Sequence, residues 1–532
     1  MSYRKNGLEL GAYAFGARQY QPGNLDLQQK TYLDKTWNQK SEIRHTGIVE
    51  AMNFRLDASY QLDANNSIGA NFGILRNPKQ TTNGDMSTSI LQDEDLSESS
   101  DSHIDIFEQK STLSSNVYYV GKLGKLGIDF NTDWLWSKNN EDDVTKEQYQ
   151  EVGMDAQSQT VHSLTNKYYH LLASKLELSY PLLGGNLSLG GEYSNTHRTS
   201  KYQVVPTNLV SDDDSRITES ITSSFLTYSR DFGNLSMEAG LRYEYIDFNY
   251  YEYGKYVPEQ SKSYGNWFPS ISLSMPVGKV QMQLSYAADI NRPSYYYLRS
   301  GIQYANRYTY ETGNPFLVSE IRKNLNYELA YKWLTFDMTY CHTSNPIMST
   351  VETYKDNPVI GLMKPVNENS YNDVEASINL RPSFGIWYPS FTASVDKQWF
   401  DMETHDGKSL NKPMASFRFD NTLDTKLGMF TWMMSYVTKG HEKNQYLYKP
   451  MFCTNVSAYK AFLKDRLSLE FFIYDLFGTS DTHVIAHFGK MKETVHDGLS
   501  TSKVSLTVRY KFNTTRSKYK GTGAGESQKN RM

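Results

Sequence analysis

Three groups of residues carry side chains able to bind a ligand or react. His483 and His487 stand four apart, separated by Val484-Ile485-Ala486. On a helix this spacing puts both imidazoles on one face, where they could hold a metal or haem. The pair falls in a long connection with no third ligand nearby, so no metal or other cofactor is assigned. Asp93, Glu94, Asp95, Glu98, Asp101 and Asp105 form an acidic run, echoed by Asp212-Asp213-Asp214. Oxygen ligands could bind a divalent cation. The spacing is not that of an EF-hand loop, and a solvated charged segment is the simpler reading. The third group is aromatic and cationic: Trp267, Arg292, Tyr295, Tyr296, Tyr304, Tyr308 and Tyr310, with Arg299 among them. Such rings could stack on sugars or other flat ligands, and the arginines could meet an anionic one. The same rings could instead pack loops or form an interfacial belt. No nucleophile, acid–base pair or phosphate cradle accompanies them, so an enzyme is not expected.

The elements that position these residues read as strands. From Leu235 to Tyr245, Leu235, Met237, Ala239, Leu241, Tyr243 and Tyr245 share one face, while Ser236, Glu238, Arg242 and Glu244 share the other. A strand has a side-chain period of two, so one face is apolar and one wet. The pattern recurs at Val280–Tyr286, Ile321–Tyr331, Phe54–Tyr60 and Val374–Leu380, and closes the chain at Val504, Leu506, Val508, Tyr510 and Phe512. Mean hydropathy is −0.62, and no run of ~18 apolar residues could span a membrane as a helix. Strands escape that test, because half of each can face water. The 41 tyrosines suit aromatic girdles at two interfaces. A net charge of −4 gives no reason to expect nucleic acid. Two cysteines, Cys341 and Cys453, support no disulfide framework. The fold class is therefore all-β, an antiparallel transmembrane β-barrel.

Connections alternate between short and long. Short, turn-rich ones fall near 63–66, 121–125, 181–185, 231–234, 276–279 and 424–428, with hairpin chemistry. Long ones fall near 21–42, 78–108, 140–163, 199–214, 251–263, 291–320, 345–369, 402–413 and 477–497. Sorting loops this way puts short turns and the C-terminus on the periplasmic side and long loops outside. About 20 strands are expected between Gly7 and Phe512, an even number as bacterial barrels have. Met1-Ser2-Tyr3 reads as the stub of an earlier strand, and no signal sequence opens the chain. Residues 1–512 are thus expected to be an N-terminally truncated barrel, with about 20 of a probable 22 strands. Residues 513–532 are expected to form a polar periplasmic tail.

Several runs resemble the outer-membrane-β-barrel branch of the TonB-dependent receptors of Bacteroidota. They are Asn266-Trp267-Phe268-Pro269-Ser270, Ile290-Asn291-Arg292-Pro293-Ser294-Tyr295, Tyr310-Glu311-Thr312-Gly313-Asn314-Pro315-Phe316-Leu317, Tyr510-Lys511-Phe512 and the tail Lys518-Tyr519-Lys520-Gly521-Thr522-Gly523-Ala524-Gly525. The resemblance implies a barrel of about 22 strands that imports a bulky nutrient such as a glycan, siderophore, peptide or haem. It also implies a plug and energy from the TonB complex, neither of which is visible here, and work with a surface lipoprotein. The Val504–Phe512 strand would be the signal read by the barrel assembly machinery. The surroundings would be outer-membrane lipid and lipopolysaccharide. A plug-less diffusion channel and a non-transport surface barrel are the alternatives.

Overall fold

The computed structural model describes residues 2–355, 357–498, 502–511 and 519–532. Among the described residues one antiparallel sheet holds 26 strands, and a separate sheet holds four. Five of the 26 are short rim strands; the rest form a continuous wall from Ser2–Lys5 and Leu8–Tyr32 to Lys503–Tyr510. The 20 wall strands after the Ser2–Lys5 stub match the expected number. The stub runs to Lys5, so the first turn is Asn6-Gly7 alone, with φ of 48° and 81°. Positive φ at both central residues gives the hairpin twist that matches its strands.

Leu235–Glu252 shows why the wall stands in a membrane. It pairs with Asp213–Phe232 on one side and Lys262–Val277 on the other. Leu241 and Tyr245 are about half exposed on the outer surface, where hydrocarbon replaces water. The band from Leu235 to Tyr245 matches the ~9–11 residues that a tilted strand needs to cross. Above Tyr245 the polarity of the faces inverts. Ile246, Phe248 and Tyr250 are buried toward the inside, while the intervening Asp247 and Asn249 are the outward ones.

The first strands are much longer than a crossing needs: Leu8–Tyr32 has 25 residues and Asp95–Leu123 has 29. The connections expected at 21–42, 78–108 and 140–163 are therefore mostly ladder, with tight turns only near 33–35, 93–94 and 152–156. Above the lipid the outer face meets water and the inner face is buried with polar residues such as Thr88, Ser100 and Ser102 among the apolar ones, so the apolar alternation fades, yet the backbone still pairs. Asp101 opposes Ser87 and Asp105 opposes Asn83. The acidic run is spread along this hairpin rather than gathered around an ion.

The rim joins the two ends of the wall. Met491–Asp497 pairs with Leu25–Thr31 of Leu8–Tyr32, and with Thr482–Phe488. Thr482–Phe488 in turn pairs with Gln445–Leu447, which lies between the wall strands Gly428–Val437 and Met451–Phe462. Val504, Leu506, Val508 and Tyr510 are exposed on the closing strand; Phe512 lies outside the described residues. Leu241→Arg should lower folding stability in lipid by about 2–4 kcal/mol, the cost of a cation at mid-membrane. Ser285→Arg, on a lumenal position, should cost far less when both are measured by urea unfolding in vesicles.

Candidate ligand-passage site in the lumen

The inner wall carries carboxylates withdrawn from water: Glu98, Asp133, Glu147, Glu219 and Glu244. A buried charge without a partner is strongly unfavourable. Each meets a donor on a segment folded into the barrel. The connection after Asn291 supplies one set. Arg307 Nε donates to Glu98 at 2.6 Å, and the Tyr308 hydroxyl donates to the same carboxylate at 3.0 Å. Tyr304 donates to Glu147 at 2.5 Å and Tyr295 to Glu219 at 2.9 Å. Arg292 pairs with Glu244 and also donates to Ser527 Oγ at 2.8 Å.

Residues 519–532 supply the other set. Expected as a periplasmic tail, they instead run along the inner wall. Tyr519 donates to Asn116 and lies edge-on to Tyr118. The amides of Thr522 and Gly523 donate to Asn131 Oδ1 at 3.1 and 3.2 Å. Ala524 packs on Leu171 and Ala173, and the Gly525 amide donates to Glu192 at 2.7 Å. Lys529 pairs with Asp133. Arg531 reaches Glu219 at 3.1 Å, and its guanidinium lies 4.1 Å from the Tyr295 ring centre. The sequence reads as a polar tail, but its cations match carboxylates that the wall must neutralise.

Apolar contacts hold the connection in place. Tyr295, Leu298 and Leu317 pack on Ile217, Ile221, Ile246, Phe248 and Tyr250. Tyr304 and Tyr310 pack on Val161, Tyr202 and Val204. Ile302–Asn306 and Thr309–Thr312 join Ile347–Tyr354 and Asn357–Asn367 in the four-stranded sheet, which forms a cap inside the rim. Tyr295, Tyr304, Tyr308, Tyr310 and Arg292 are thus consumed in packing and ion pairing. Tyr296 donates to Glu311 at 2.7 Å under the Arg299 guanidinium. Burial pushes the Tyr296 and Tyr310 hydroxyls up to about 12. Trp267 is exposed and sits beside Tyr243 on the outer face, as a girdle residue does.

Space remains along the arc that carries Arg322 and Tyr371. A cavity of about 510 Å³ is lined by Asp289, Asp373, Glu375, Asp396 and Glu442, with Arg322, Lys397 and His441 among the carboxylates. None of these residues stood out in the sequence: Asp289, Arg322, Asp373, Glu375 and Asp396 lie on wall strands among other polar residues, and His441 and Glu442 lie on the short rim strand Gly440–Glu442. His483 and His487 lie on the strand Thr482–Phe488, not a helix. Four residues along a strand span about 13 Å, so they cannot share one ion.

Arg531→Ala should leave Glu219 buried without its cation, at about 3–5 kcal/mol. Thermal unfolding in detergent should fall accordingly, and trypsin should cut the tail at Lys520 and Lys529 in the variant before the parent. Equal melting and equal cleavage would show that the tail does not neutralise the wall.

No curated relative matches the sequence. The solved structure of the copper transporter OprC is similar with a TM-score of 0.54 and 10% identity, over 92% of this chain and 81% of that one. The siderophore receptor PirA from Pseudomonas aeruginosa gives 0.48 and 14%, over 91% and 80%. The FrpB iron transporter from Neisseria meningitidis gives 0.48 and 12%, over 90% and 82%. At these identities the likeness is one of fold. Residues 121–510 match the outer membrane protein beta-barrel family, a span well over half of the chain. With its lipid-facing band, sorted turns and self-joining sheet, the chain belongs to that family and resides in the bacterial outer membrane.

Proposed function

We propose that this barrel is the wall of a TonB-dependent receptor of the Bacteroidota type, which takes up a bulky nutrient across the outer membrane. One observation carries the reading: the lumen is obstructed. A cap sheet and the tail are bound to the inner wall by buried ion pairs. A diffusion porin works with an open water-filled lumen; an energised receptor works with a closed one that opens on demand. The fold likeness to a copper transporter fits an uptake role. The neighbouring structures include siderophore, iron and copper proteins, and the ligand here would be of that bulky or chelated class, or a glycan.

In this reading the long extracellular elements capture the ligand and pass it to the carboxylate-rich cavity. There Asp373, Glu375 and Asp396 accept hydrogen bonds from ligand hydroxyl or amine groups, and Arg322 and Lys443 partly offset the charge at Asp373. Energy would arrive from TonB through a plug, and a surface lipoprotein would deliver substrate. The closing strand Val504–Tyr510 would engage the barrel assembly machinery, and lipopolysaccharide would surround the outer rim.

A strain lacking the gene should lose growth on one defined nutrient, and a strain lacking TonB should lose it too. Growth that survives loss of TonB would favour the diffusion channel. Asp373→Asn combined with Asp396→Asn should weaken uptake of that nutrient about 10–100-fold per lost charge-assisted hydrogen bond, read as the half-saturating concentration.

A further inference from the structure

We propose that the rim hairpin 482–497 carries a site for a divalent transition-metal ion, formed by His483, His496 and Asp481. The strand register alone brings the histidines together. His496 opposes His483 on one side and Asp26 on the other, so the three side chains form a row across adjacent strands. The imidazole centres are 4.2 Å apart and nearly parallel. One ligand atom from each of Asp481, His483 and His496 lies within 4.8 Å of the others.

The arrangement around His496 points to an ion. Its Nδ1 lies 3.2 Å from Asp26 Oδ2. A carboxylate only accepts, so Nδ1 carries the proton, and the neutral ring then holds its lone pair on Nε2. That Nε2 is shielded from water and has no hydrogen-bond partner among the described residues. It faces Asp481 Oδ2 at 3.8 Å. A carboxylate fixing the tautomer of a histidine whose other nitrogen is left for a metal is the common outer-sphere device of metal sites.

Two imidazoles and one carboxylate suit zinc, copper(II) or nickel rather than calcium or magnesium. Zinc at ~2.1 Å from each donor needs donors about 3.4 Å apart. The His483 ring lies on the partly exposed rim, and a turn about its χ2 takes it out of the stack and closes the gap while the His496–Asp26 hydrogen bond stays in place. Three protein ligands leave a fourth position for water or an incoming donor. The bound ion would cross-link the two strands of the hairpin that joins the end of the wall to Leu8–Tyr32, a staple at the rim seam. The sequence pairing of His483 with His487 concealed this, because the true partner lies across the turn.

The test uses the full chain in detergent, stripped with chelator and carrying Cys341→Ser and Cys453→Ser so that no thiolate competes. Titration with zinc by calorimetry, and with cobalt(II) by visible absorption, should show one ion per chain. His483→Asn and His496→Asn should each weaken binding at least 100-fold. Asp26→Asn should weaken it about 10–100-fold, and His487→Asn should leave it unchanged. Zinc should also slow tryptic cleavage at Lys490 and Lys492 in the parent but not in His496→Asn. Unchanged heat-modifiable gel migration establishes that each variant is folded. Retention of one equivalent at parental affinity in the His483→Asn, His496→Asn double variant would overturn the proposal. So would the absence of saturable binding in the parent.

Discussion

A carboxylate withdrawn from water inside this barrel is strongly unfavourable unless it is paired. Glu98, Asp133, Glu219 and Glu244 are all withdrawn from water, and each is met by Arg307, Lys529, Arg531 or Arg292. Those cations come from two segments far apart in sequence, the connection after Asn291 and the C-terminal tail. The pairing therefore decides where both segments go. It also couples them: Glu219 accepts from Tyr295 and Arg531 together, and Arg531 Nε donates to the Pro293 carbonyl at 2.9 Å. Moving the tail would unseat the cap, and moving the cap would strip the tail of a partner. Breaking a buried pair is far more costly than the pair is stabilising, which makes the arrangement specific rather than merely strong.

The wall beneath depends on a different constraint. In hydrocarbon every backbone group needs a partner within the protein, which strands satisfy only by pairing on both sides. The outward rows, such as Leu235 to Tyr245, place apolar atoms against lipid, while Arg242 and Glu244 stay inside and pair at 2.6 Å. Above the band the demand reverses. Water lies outside, and the cap fills the inside, so Ile246, Phe248 and Tyr250 become a core. One strand thus obeys two solvents along its length.

That reversal explains what could be read from residues alone. Alternation in Val280–Tyr286 or Val374–Leu380 reports the membrane band directly, so fold class, strand number and short turns were legible. Between 78 and 108 both faces are polar, the period vanishes, and a ladder looks like a loop. Tyr304, Tyr308 and Tyr310 look like ligand-stacking rings because sequence does not tell a vestibule from a core. The buried acceptors of Tyr304 and Tyr308, Glu147 and Glu98, lie more than a hundred positions away. The tail's Lys529 and Arg531 look like solvated charge because their partners belong to other strands. His496 escaped notice for the same reason: cross-strand neighbours have no fixed spacing in sequence.

A covalent trap tests the intralumenal tail most directly. Ala524 packs against Ala173 on the inner wall. In a chain carrying Cys341→Ser and Cys453→Ser, Ala173→Cys combined with Ala524→Cys should form a disulfide in native outer membranes under mild oxidation. After proteolysis the tail peptide should remain attached to the peptide bearing position 173 until reductant is added. Both thiols remaining free to alkylation in membranes, with the barrel correctly assembled, would contradict a tail held along the lumenal wall.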